Sequence, residues 1–193
     1  MRSPRPSIID CRLFRSMPEW DSVKTTVLIR VARLRVPIGF IVGILTIAMA
    51  RPTYVTLVIG APIVVVGEAL RIWAAGHLEK KREVTSSGPY RWSCHPLYVG
   101  SSILGIGFAI ATGTVLVAAV VVGYLGMTLT AAIKTEEAFL REQFGGLYDQ
   151  YKSGLLPNAH RSFSVARAIR NREYRAVLGL LIVAAILWSR AST

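Results

Sequence analysis

From Leu97 to Ile133 this chain of 193 residues contains no Asp, Glu, Lys or Arg. A helix crossing the hydrocarbon core of a bilayer needs about 20 mostly apolar residues, so an uncharged run of this length holds two spans and a tight turn. Thr112-Gly113-Thr114 is the polar break, giving spans over 97–111 and 115–133 that form a helical hairpin. Apolar runs at 36–50, 53–78 and 174–190 complete the expected fold class: an all-α integral membrane protein of about five transmembrane helices. Arg33 and Arg35 are placed to snorkel from the start of the first run, and Arg51-Pro52 stops it. The last run is short, but Tyr174 and Trp188 sit near its ends, where interfacial aromatics belong. Residues 1–35 are then a basic N-terminal segment and 36–193 the membrane domain.

The 23 Lys and Arg against 11 Asp and Glu, a formal charge of +12, would suggest nucleic acid if they shared one soluble surface. They do not. Eight lie in 1–35, four in 79–94 and eight in 134–175, which leaves Arg51, Arg71 and Arg190 elsewhere. The positive-inside rule therefore expects the N-terminus and both long polar connections on the cytoplasmic side and the C-terminus on the other. Contact with membrane lipids follows, and nucleic acid is not an expected partner. A hydrophobic content of 52% also excludes a polar disordered tail. No hydrophobic signal region precedes residue 36, so the first span is expected to serve as an uncleaved signal. Cys11 and Cys94 fall on the expected cytoplasmic side and form no CxxC pair, which argues against a structural disulfide and against a metal site.

Chemistry is expected in the two polar connections. In the first, Gly88-Pro89 marks a turn, and His95-Pro96 places a histidine just before the proline that opens the third span. The free N–H groups of that helix end suit an anion; a plain helix start with interfacial Tyr90, Trp92 and Tyr98 is the alternative. In the second, Ala132, Glu136, Phe139 and Gln143 share one helical face beside an apolar stripe of Leu140, Phe144 and Leu147. The adjacent carboxylates Glu136 and Glu137 are either solvated or turned inward to bind hydroxyl groups, and spacing does not choose. Within the second span Glu68 and Arg71 are three residues apart and should pair, either as a structural lock or lining a cavity. His77, near the end of the same span, reads as an interfacial polar residue.

Together these segments resemble the isoprenylcysteine carboxyl methyltransferase family and its relatives among the membrane phospholipid methyltransferases. The resemblance is carried by Gly88-Pro89-Tyr90, His95-Pro96-Leu97-Tyr98 and, after an apolar hairpin, Glu136-Glu137 with Leu140, Phe144-Gly145, Tyr148 and Tyr151. It covers about 68–157 and keeps the family order. It implies a membrane methyltransferase that uses S-adenosyl-L-methionine and acts on a lipophilic small molecule or lipid at its O, N or S nucleophile, such as the carboxylate of a prenylcysteine-like compound. By position, the cofactor would meet Val84, Thr85, Tyr90, His95, Pro96, Tyr98 and Glu136, with Glu137 in support. Glu68, Arg71 and His95 are the candidate catalytic residues, with His77 a further candidate base. No metal is expected.

Two departures stand out. Cys94 replaces the family arginine before His-Pro, for which Arg91 is the nearby substitute, and Ala132 replaces an arginine that prenylcysteine enzymes direct at the substrate carboxylate. The second weighs against a prenylcysteine substrate. Two other readings remain: a sterol-reductase-type membrane reductase holding the 2′-phosphate of NADPH on Lys80-Lys81-Arg82, and a non-enzymatic scaffold or transporter.

Overall fold

Each apolar run becomes a helix whose ends fall at the breaks in the sequence. The computed structural model describes residues 37–80, 82–157 and 159–191, so the N-terminal segment 1–35, with Arg33, Arg35 and Cys11, lies outside the described residues. The elements are α1 (Pro37–Met49), α2 (Tyr54–His77), a 3₁₀ turn (Gly88–Arg91), α3 (Pro96–Ala111), α4 (Val115–Phe144), α5 (Gly146–Lys152), α6 (Val165–Arg170) and α7 (Glu173–Ala191). There is no strand among the described residues.

Three helices, α2, α4 and α7, are long and apolar enough to cross a membrane. The expected five spans are therefore three such helices and two shorter apolar ones. With a rise of about 1.5 Å per residue, α3 extends only about 24 Å, short of a hydrocarbon core of about 30 Å. Its place is inside the bundle, antiparallel to α2. Conversely α4, about 45 Å long, exceeds the core, and its charged last third from Lys134 onward extends beyond it.

The α2–α3 contact is made through glycine. Gly60 faces Gly107 and Gly67 faces Gly100; a Cβ on Gly60 would lie 2.6 Å from the Gly107 carbonyl oxygen, and one on Gly100 would lie 2.8 Å from that of Gly67. With no hydrophobic gain available between helices in lipid, such small-residue contacts let the backbones approach and pack by dispersion. At the far end, Thr112-Gly113-Thr114 makes the hairpin turn as expected, with Gly113 at φ +67°. The Arg51 N–H donates to the Thr112 carbonyl at 2.9 Å, and a Cβ on Gly113 would collide with the Arg51 carbonyl. Gly113→Ala should accordingly lower the melting temperature of the detergent-purified protein, with about 1–2 kcal/mol lost to the left-handed backbone alone.

The polar segment before α7 closes the end of α2. Arg167 Nε donates to the Gly76 carbonyl at 2.7 Å, and Asn171 Nδ2 donates to those of Ala75 and Leu78 at 2.8 and 3.0 Å. These are the orphan acceptors of a helix C-terminus, satisfied here by side chains 90 residues and more away along the chain.

Candidate functional site

The connection from α2 to α3 folds against the end of α2. Gly88 adopts φ +56°, and a Cβ there would lie 2.6 Å from the His77 ring, so the turn requires glycine. His77 is buried, with Nδ1 3.2 Å from Ser87 Oγ. The Thr85 hydroxyl accepts from the Glu79 N–H at 3.3 Å. Tyr90 is buried, and its backbone carbonyl accepts from the Tyr151 hydroxyl at 2.8 Å. Burial, reinforced by the nearby Glu136 carboxylate, pushes the Tyr90 phenol well above its ordinary pKa, and burial alone raises that of Tyr151. Both phenols stay protonated, which keeps Tyr151 a donor to the loop that carries the first motif.

His95 is the N-cap residue of α3 and Pro96 its first residue. The histidine does not face open space. Its Nε2 lies 3.2 Å from Glu137 Oε1, and Lys152 Nζ donates to both Glu137 oxygens at 2.8 Å. The three side chains are each about a tenth exposed. Burial opposes the charge on Glu137, yet the hydrogen bonds and charges of His95 and Lys152 outweigh it and hold the carboxyl at about 2. This cluster ties α3, α4 and α5 together.

Glu136, one residue earlier, goes elsewhere. Successive residues of a helix are rotated by about 100°, and Glu136 lines a cavity of about 720 Å³ from which Glu137 is absent. The chamber has an apolar wall from α1, α3 and α4, including Phe40, Leu104, Phe108, Val121 and Leu125. Its polar lining includes Tyr98, Lys80 and Glu136, together with Arg71, Ser101 and Glu173. Arg71 Nη2 donates to Glu173 Oε2 at 2.9 Å, Nε lies 3.2 Å from Glu68 Oε2, and Nη1 donates to Ser101 Oγ. The expected Glu68–Arg71 pair is present, and the same arginine also lines the cavity.

Of the eight positions the resemblance assigns to the cofactor, Tyr98 and Glu136 line the chamber. Val84 is half-buried; Thr85, Tyr90, His95, Pro96 and Glu137 are buried in the packing around it. Ala132 lies in the chamber wall, and Arg91 is exposed and outside it. Lys80 is the member of the basic triplet in the wall, Arg82 is exposed, and Lys81 is outside the described residues. Cys94 is disulfide-bonded, which corrects the expectation of unlinked cysteines. That expectation rested on compartment, whereas pairing depends on the approach of two Cβ atoms. Glu173, Ser101 and Lys152 went unread as site residues. The signal for Glu173 was a lone carboxylate at the first turn of an apolar run.

Buried charge in helices long enough to cross a bilayer, gathered beside a cavity with one apolar wall, describes an all-helical membrane protein. The chain belongs to the phospholipid methyltransferase family, whose model matches residues 38–146. It is also similar to the cobalt-zinc-cadmium resistance protein CzcN of Cupriavidus metallidurans, with 32% identity over 126 residues, covering 60% of this chain and 56% of that one. The chain thus spans little more than half the length of this relative. No solved structure matches it.

Proposed function

We propose that this protein transfers a methyl group from S-adenosyl-L-methionine to a lipophilic acceptor held within the membrane. The observation that carries the reading is the chamber, whose wall holds Tyr98 from the first motif and Glu136 from the second beside an apolar face. Family membership supports the same chemistry. The lining fits the cofactor in kind. Glu136 is a carboxylate suited to accept from two sugar hydroxyls, Tyr98 offers an aromatic face, and Lys80 provides a cation for a carboxylate where Arg91 and Cys94 do not. A volume of about 720 Å³ falls within the usual range of about 300–1,000 Å³ for small-molecule sites.

When bound, the cofactor supplies an electrophilic methyl group on a positively charged sulfur. The chain's own tasks are alignment and exclusion of water. The His95–Glu137–Lys152 cluster fixes the start of α3 against α4, so Tyr98 and Glu136 keep their spacing. The apolar face receives the hydrophobic body of the acceptor and keeps its nucleophile out of bulk water.

Isothermal titration of detergent-purified protein with S-adenosylhomocysteine tests the proposal, and a folded sample that takes up none of it refutes it. Glu136→Ala should weaken that binding about tenfold or more, the loss of one or two hydrogen bonds to a charged group, with expression and melting temperature unchanged. If NADPH rather than S-adenosylhomocysteine raises the melting temperature, the reductase reading replaces this one.

A further inference from the structure

Residues 159–171 lie as a strap across the end of α2 and the loop 82–88. Within the strap Ala168 alone is buried, whereas the loop beneath it hides Thr85, Ser86 and Ser87 at 6, 5 and 1% exposure. The strap is held mainly by polar contacts. The Ala159 N–H donates to Ser86 Oγ at 3.1 Å, and the Ser164 N–H donates to the Gly76 carbonyl at 3.2 Å. Arg161 is ion-paired with Glu83, and Glu79 Oε1 lies 3.6 Å from Arg170 Nη2 and 4.0 Å from Arg167 Nη1. Phe163 packs against Gly76 yet stays largely uncovered, and Val165 and Ile169 are exposed. Few buried apolar contacts and many exposed polar ones place a segment at the low end of local stability.

The strap also meets the chamber at both of its edges. Leu78 and Lys80, beside the covered loop, line the chamber, and so does Glu173, two residues after the strap ends. Asn171 joins the two sides by donating to the Leu78 carbonyl at 3.0 Å. Arg172 follows at φ +64°, the only positive φ of a non-glycine residue among those described. L residues rarely adopt that conformation, so surrounding contacts must hold it. Gly154, at φ +72°, precedes the strap. Resting on the methyl-transfer reading above, we propose that residues 159–171 swing about Arg172 to admit and release the cofactor at the polar end of the chamber, and that Glu79 and Glu83 latch the strap shut through Arg161, Arg167 and Arg170. Closed, the strap keeps bulk water from the polar end. Open, it parts Lys80 from Glu173 and uncovers the loop of Thr85 and Ser86. Glu83 and Arg170 are each more than a third exposed, so salt weakens the latch.

The test loads the full chain, purified in detergent, with radiolabelled S-adenosylhomocysteine and chases it with unlabelled ligand. Release from wild type should quicken about three- to tenfold between about 0.1 and 1 M salt, as the screening length falls from about 10 to 3 Å. Glu79→Gln combined with Glu83→Gln should release at the fast rate already at about 0.1 M and lose most of the salt effect. Its association should quicken in step, with Kd within about twofold of wild type, because opening precedes both entry and exit. Wild-type rates in that variant, with the salt effect intact, would overturn the proposal. Ser86→Cys combined with Ala159→Cys, once oxidised, should slow release about tenfold or more and regain it on reduction. Wild type treated alike is the control for the disulfide at Cys94. A bridged protein that exchanges ligand at the wild-type rate would also overturn the proposal, and if the bridge does not form, the Glu79 and Glu83 variant decides. A wild-type protein that binds no S-adenosylhomocysteine would instead remove the methyl-transfer reading and this proposal together.

Discussion

Gly67→Leu should leave little folded protein. A Cβ at Gly67 would lie 2.8 Å from the Gly100 carbonyl oxygen and from the Leu104 Cα. Both are backbone atoms of α3, and no rotamer change moves them. The helices must separate, and the contact between Gly60 and Gly107 seven residues away opens with them. Overpacking of a well-filled contact costs about 1–3 kcal/mol when side chains give way, and a backbone obstruction belongs at or beyond the upper end. Against a total stability of about 5–15 kcal/mol, that loss is large. The chamber suffers too, because Arg71 follows Gly67 by one helical turn, and Ser101 is next to Gly100. Fluorescence-detected size exclusion should show the monodisperse peak of the wild type lost in Gly67→Leu. Gly126→Leu is the control: nothing lies within 4 Å of a Cβ there, and its profile should match wild type.

The hairpin was legible in the sequence because absence of charge and a polar triplet are local signals. The close contact of α2 and α3 was not read, although Gly60 and Gly67, like Gly100 and Gly107, are seven residues apart. Spacing says that two glycines share a helix face; it does not say which helix covers that face. The same limit governs the site. Glu136 and Glu137 are chemically identical neighbours in the sequence, and only the arrival of His95 and Lys152 on one side of α4 separates a locked carboxylate from one facing the chamber. Arg71 and Glu173 are 102 residues apart, so helical spacing points Arg71 to its near partner, Glu68, and not to its hydrogen-bonded one. The closing of α2 by Arg167 and Asn171 follows from a rule that was available, since a buried helix end must place its carbonyls somewhere. Which of many polar residues would do so depended on the fold.

Glu137→Ala should be the most damaging change of a single charge. It leaves the Lys152 ammonium about a tenth exposed with no carboxylate and removes the partner of His95. Breaking a buried pair from one side costs about 3–5 kcal/mol, mainly the penalty of the charge left behind. Stability should fall by that order, with S-adenosylhomocysteine binding lost as the start of α3 detaches from α4. Double replacement, Glu137→Gln with Lys152→Met, should recover much of the stability, because no charge is then stranded. The low pKa of Glu137 adds a dependence on pH. The group is ionised more readily folded, at about 2, than unfolded, at 4.5. Its contribution is therefore fully present above about pH 4.5 and is lost as pH falls toward 2. The melting temperature of the wild type should decline across that window more steeply than that of the double variant. Equal slopes would mean that Glu137 does not carry its charge into the folded cluster, and the tie between α3, α4 and α5 would then have to be a neutral one.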